Sequence, residues 1–258
     1  VTDELAKIAA SGDVDTKRRA MIAIAELTSV AAHELLEQEG AMLASGTEGQ
    51  AKVDVGVLEQ AALDARQSDK VRRRALHALG YVGGESTLNA LTPLLSPGNP
   101  LAGPAAIAIA RIGSRTMVKP AEGQRPKLTA AGKKLIDLLL STPDEDLRIK
   151  TALALSIMGE QPVWELMNRM LKVPTSMRPW IAATLGAIGK AATDPVLEVR
   201  GASRDPELKQ WLAVTLQLIG DAQALDLLKH LPDSDKPTPD RLRPSQAILA
   251  RIRAAKIE

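Results

Sequence analysis

Cysteine is absent from the 258 residues, phenylalanine is absent too, and tyrosine occurs once, at Tyr81. Without thiols the chain forms no disulfide, binds no metal through sulfur and runs no thiol chemistry. That leaves the compartment open, because a cysteine-free chain survives in either redox environment. With three tryptophans as the other aromatics, the core must be built from Ala, Leu, Ile, Val and Met. Those residues suit helices, and the aromatics that favour strands are nearly missing, so an all-β fold is disfavoured. No run of 18 apolar residues occurs, which excludes an obvious membrane-spanning helix. An excess of one charge is lacking as well: 33 basic residues face 31 acidic ones, for a net charge of +2. Such a balance draws the molecule as a whole neither to nucleic acid nor to an anionic membrane. The expectation is a soluble protein, cytoplasmic or secreted/periplasmic. The first residue is Val rather than Met, and residues 1–10 read as the second helix of a repeat, so a piece of a longer chain or complex is expected.

What the chain does have is one phrase, repeated. It runs Ala75 to Gly83 (ALHALGYVG), Ala105 to Gly113 (AAIAIARIG), Thr151 to Gly159 (TALALSIMG), Ile181 to Gly189 (IAATLGAIG) and Leu212 to Gly220 (LAVTLQLIG). The closing glycines, Gly83, Gly113, Gly159, Gly189 and Gly220, are separated by 30, 46, 30 and 31 residues. A fixed period in this range marks stacked units that bury their apolar faces only against neighbours. Each unit reads as a turn, a first helix with apolar residues spaced by three and four, a closing Gly suited to a left-handed helix end, and a short second helix. Pro or Asp then breaks the chain. A weaker, earlier copy begins near Lys17-Arg18-Arg19-Ala20.

The pattern D…VRxxAxxALGxIG with a period near 30 resembles the HEAT-like repeats first described in phycobilisome lyases. The resemblance spans roughly residues 15–232. It implies an all-α fold, an α-α superhelix (HEAT-like solenoid) of about six to seven helix pairs. Outer first helices and inner second helices lining a concave face are part of that implication. Residues 1–258 are then a single array with insertions near 39–57 and 114–128 and a closing helix over 244–256 that starts with Pro244.

Acid–base pairs recur where units begin: Asp15 with Arg18, Asp69 with Arg72, Asp144 or Asp146 with Arg148, and, more loosely, Asp205 with Lys209. The expectation is a structural ladder in which each Asp caps a helix and meets a base in its own or the next unit. The third unit departs from this, with Asn99-Pro100 in place of Asp and Arg, and a loosened stack is expected there. The triplets Lys17-Arg18-Arg19 and Arg72-Arg73-Arg74 read as a solvated face, with phosphate contact as the sharper alternative.

The segment 114–128, continuing to Lys134, carries Arg115, Lys119, Arg125, Lys127, Lys133 and Lys134 against the single acid Glu122. Pro120, Gly123 and Pro126 argue against a helix, and the segment reads equally as a partner-binding arm or a tolerated loop. Trp180 and Trp211 lie 31 residues apart at matching places and are expected in the core. Trp164 falls on a second helix, where an exposed indole would be a binding hot spot.

Catalytic patterns are wanting. No phosphate-binding glycine loop, nucleophile elbow or zinc-protease motif occurs. His33-Glu34 matches the His-Glu element of a HEAT-fold iron hydroxylase that acts on a lysine-derived residue, but one such pair cannot fill an iron site. His77 reads as a polar-face residue, and Asp233-Ser234-Asp235 as a turn rather than a calcium loop. No metal and no cofactor are expected. The expected function is a non-catalytic scaffold, not an enzyme, that binds another protein along the concave face with help from the basic insertion. A nucleic-acid-binding array is the alternative if the extra bases converge on the inner face. A lyase-like subunit handling a bilin is another, implied by the resemblance alone.

Overall fold

The computed structural model describes residues 55–117 and 124–255. All regular structure among them is helical, with no strand. The chain divides into two compact units, residues 1–116 and 117–258.

In the first unit, helix α1 spans Val55–Leu63, α2 Asp69–Val82, α3 Glu85–Leu91 and α4 Ala102–Thr116. Ser68 caps α2 by accepting from the Val71 N–H, 3.4 Å away. The three-and-four spacing of α2 then buries Val71, Ala75, Leu76, Ala78 and Leu79. These residues pack between α1 and α4. Helix α4 is nearly all Ala and Ile on its inner side, which lets it approach closely. A Cβ on Gly80 would stand 3.3 Å from the Ala108 Cα. Before α4, Asn99 does the work of the missing Asp. Its Oδ1 accepts from the Leu101 N–H at 2.9 Å, and its Nδ2 donates to the Leu94 carbonyl at 3.1 Å.

In the second unit, α5 spans Ala130–Ser141, α6 Glu145–Ile157, α7 Val163–Arg169, α8 Arg178–Ile188, α9 Thr193–Ala202, α10 Pro206–Ile219, α11 Ala222–Lys229 and α12 Pro239–Ala254. The first helices α6, α8 and α10 pack side by side, each joined by a short turn to its second helix, α7, α9 or α11. Buried Leu, Ile, Ala, Val, Met and Trp fill the space between layers. Trp180 and Trp211 are 6% and 2% exposed, and each accepts at its carbonyl from a threonine hydroxyl one turn on, Thr184 and Thr215.

Four expectations need correction. The phrase-closing glycines are not equivalent: Gly159, Gly189 and Gly220 have φ of 63°, 73° and 70°, whereas Gly83 has φ −64° and Gly113 lies inside α4. Gly83 is buried, and a Cβ there would meet Ile112 Cδ1 at 2.9 Å, so its requirement is steric. Because α4 runs on to Thr116, residues 114–116 belong to a helix and not to an inserted loop.

The ladder, in turn, is not built of Asp–Arg pairs throughout. Asp69 and Arg72 do approach, at 3.9 Å. Yet Arg72 also donates from Nε to the Ala62 carbonyl at 3.0 Å, and Arg148 donates to the carbonyls of Leu139 (Nε, 3.2 Å) and Thr142 (Nη2). Each base thus satisfies carbonyls left open at the end of the preceding helix. Asp144 and Asp205 cap α6 and α10 through backbone N–H groups. Among the described residues Asp146 makes no ion pair with Arg148, nor Asp205 with Lys209. At the next layer Arg178 pairs instead with Glu207 of α10. Asp15 and Arg18 lie outside the described residues.

The last helix, finally, does not begin at Pro244. It starts at Pro239, keeps Pro244 inside, and lies across α6, α8 and α10, burying Ser245, Leu249 and Ile252 against them. Its apolar stripe is matched by the surface of three successive first helices, which explains why it folds back instead of extending the row.

Candidate functional site

The second helices of the 117–258 unit carry three groups of polar contacts between neighbouring elements. On α5, Asp137 lies 3.4 Å from Arg169 of α7, whose Nε donates to Glu165 at 2.8 Å. Those carboxylates hold the Arg169 guanidinium above its ordinary pKa, Glu165 through its hydrogen bond first. Next along, Trp164 of α7 lies under Arg125, whose guanidinium carbon is 3.7 Å from the centre of the indole ring. Arg125 also donates from Nη2 to Glu198 of α9 at 3.1 Å. Beyond that, Asp194 of α9 accepts from Gln223 of α11 at 3.1 Å, and Asp221 caps α11 while accepting from the Thr193 hydroxyl.

The sequence places Trp164 correctly on a second helix, because the short helix α7 buries one apolar side. Val163, Leu166 and Met167 are buried on α7, and the indole next to them is half-buried. Lys133 and Lys134 are exposed on the first turns of α5, three and four residues before Asp137, and so share its side of the helix. Lys127 is exposed on the extended segment that leads into α5, where Leu128 packs over Gly132.

Of the residues expected to bind a partner, Arg125 and Trp164 meet here, Lys133 and Lys134 share the Asp137 side of α5, and Lys127 is exposed on the segment before α5. Arg115 is elsewhere and does something else. It lies on α4 of the first unit and donates to the carbonyls of Gly80 (Nη1, 3.1 Å), Tyr81 and Gly83, closing the end of α2. Burial pushes its guanidinium below the ordinary value. Lys119 and His33 lie outside the described residues. His77 meets Tyr81 edge-on, with ring centres 5.2 Å apart, and Arg111 covers the same tyrosine at 4.4 Å.

Reasoning from sequence missed Glu198, Glu165 and Asp137, because single acids on short helices carry no motif. It also missed Arg200, which is buried and donates to Asp235 at 2.8 Å, tying α9 to the 233–235 turn. No local sequence signal marks it, because Arg200 lies among other charged and small residues; a buried arginine is costly unless a carboxylate meets it.

Chemically, the face offers an aromatic surface, paired ions of both signs and three free-standing lysines. The Arg125 stack and its exposed ion pair are together worth on the order of 1–2 kcal/mol. Among the described residues no group of three or more His, Asp or Glu is placed to hold a metal ion. Nor is any helix there long and apolar enough to cross a membrane.

No protein-family model matches the chain, and no curated protein matches it in sequence. Chains of solved structures do match, among them human deoxyhypusine hydroxylase in complex with glycerol, at 18% identity and a TM-score of 0.29 over 98% of this chain and 97% of that one. That structure is of an enzyme, contrary to the expectation of a non-enzyme, and that expectation is not carried further. At that TM-score the likeness transfers neither an activity nor a site. The chain itself is an all-α protein of helical-repeat type.

Proposed function

We propose that the chain binds a partner protein along the second-helix face of its 117–258 unit. One observation supports this reading: polar contacts join neighbouring second helices, Asp137 with Arg169 and Arg169 with Glu165, while Arg125 bridges Trp164 of α7 and Glu198 of α9. A surface made by several stacked layers suits an extended protein segment, which can touch each layer in turn. The mixed signs favour protein over nucleic acid. A phosphate backbone would meet the carboxylates of Asp137, Glu165, Asp194 and Glu198 among the bases, whereas a polypeptide presents both charges. Trp164 supplies the aromatic anchor that protein interfaces concentrate.

The test is capture from source lysate by the intact chain and by the triple variant Lys127→Glu, Lys133→Glu, Lys134→Glu. Loss of a specific captured protein, with unchanged helical content, supports the reading. Capture that is equal in the two, and equal again in Trp164→Ala, removes this face as the binding surface.

A further inference from the structure

We infer that the Trp164 ring and the Glu198 carboxylate form a seat for an arginine side chain supplied by the partner, and that Arg125 fills this seat in its absence. The inference rests on the second-helix face being the protein-binding face. Guanidinium recognition needs two things at once, a flat aromatic surface and an acceptor in the plane of the fork. Both are present: the Arg125 guanidinium carbon is 3.7 Å from the ring centre while its Nη2 reaches Glu198 Oε1 at 3.1 Å. An ammonium group has no plane to stack and cannot meet both demands in this way.

The seat is independent of its occupant. Trp164 comes from α7 and Glu198 from α9, each fixed by the buried side of its own helix, while Arg125 comes from the extended segment before α5. The contact is also open to exchange, because the Arg125 and Glu198 side chains are 62% and 61% exposed. An exposed pair of this kind is weak, so an incoming arginine competes on nearly equal terms and is opposed chiefly by the high local concentration of a tethered rival. The tethered arginine raises the threshold for binding and selects against neutral or lysine-only segments.

The probe is the peptide acetyl-Gly-Arg-Gly-amide, titrated into the full chain while the tryptophan indole N–H signals are followed by NMR. A citrulline peptide, the neutral isostere, is the control. In Arg125→Ala the arginine peptide should move the Trp164 signal with a dissociation constant about tenfold lower than in the unaltered protein. The citrulline peptide should leave that signal in place, and adding Glu198→Gln should weaken binding about tenfold. Arg125→Lys, which keeps the charge, should fall between the two and guards against a folding artefact in the alanine variant. The inference is overturned by an unmoved Trp164 signal in Arg125→Ala, by equal binding of citrulline, or by indifference to Glu198→Gln. Any of these leaves the lysine-reversal result standing, so failure of the seat and failure of the face are told apart.

Discussion

Arg148 donates from Nε to the Leu139 carbonyl, 3.2 Å away, and so joins the start of α6 to the end of α5. A second donor reaches Thr142. The guanidinium thus closes carbonyls at a helix end where no backbone N–H remains to do so. Arg148→Ala should lower the stability of the 117–258 unit by about 1.5–3 kcal/mol, the range for hydrogen bonds involving a charged group. Asp144→Ala, which removes the α6 cap, should cost about 1 kcal/mol. Asp146→Ala should cost less than either. Urea midpoints of the three variants check the order; a cost at Asp146 matching that at Arg148 would restore the acid–base ladder.

Gly186 is a contact glycine, three residues before the left-handed Gly189. A Cβ added there would lie 2.7 Å from Leu218 Cβ of α10 and 3.4 Å from Leu249 of α12. Gly186→Ala should therefore destabilise by about 1–3 kcal/mol through forced separation of the helices. Gly201, near the end of α9, has nothing within 4 Å of the same position. Gly201→Ala should be neutral or stabilising by up to about 1 kcal/mol. Thermal unfolding of the pair distinguishes space from helix propensity.

Helix α12 belongs to the core of its unit. Leu249 and Ile252 are buried against the first helices, and Arg251 pairs with Glu145 at the start of α6. Leu249→Ala should cost about 2–5 kcal/mol. A chain ending at residue 238 should expose the apolar side of α6, α8 and α10 and bind a hydrophobic dye or aggregate. A truncated chain that unfolds at the same temperature as the intact one would reduce α12 to an appendage.

Asp221 carries a pH dependence. Burial opposes its ionisation, but the Thr193 hydroxyl, the Ala224 and Gln223 N–H groups and the Lys190 charge outweigh it and hold the carboxyl below the ordinary aspartate value. A depressed carboxyl contributes stability that is fully present above its unfolded pKa and is lost as pH falls through the folded one. Acidification from about pH 5 downward should thus loosen α11 from α9. In Asp221→Asn the acid-sensitive part of the unfolding free energy should shrink, which denaturant titrations at several pH values measure.

Arg115 separates structure from binding. Arg115→Ala leaves three carbonyls at the α2 end without their donor and should cost the 1–116 unit about 1–3 kcal/mol. It should leave capture of a partner unchanged. Lys127→Glu should do the reverse, with stability intact and capture reduced. Calorimetry beside the capture assay reads both.

The glycine-closed phrases and their period determine by themselves that the chain is all-α and built from helical hairpins, because apolar spacing and helix breakers act locally. They also place Trp180 and Trp211 in the interior and Trp164 on a second helix. Tertiary structure alone decides where long side chains end. In sequence Arg72 and Arg148 read as partners of nearby Asp residues and Arg115 as a base of a binding arm, yet each finds open carbonyls on a helix that is close only after packing. The same holds for α12, whose apolar stripe says that it must be covered but not by which helices. Arg125, Trp164 and Glu198 lie 73 residues apart at the extremes and meet only because α7 and α9 stack in neighbouring layers. Local pattern fixes the elements; the cost of leaving charge, carbonyls or apolar surface unmatched fixes their partners.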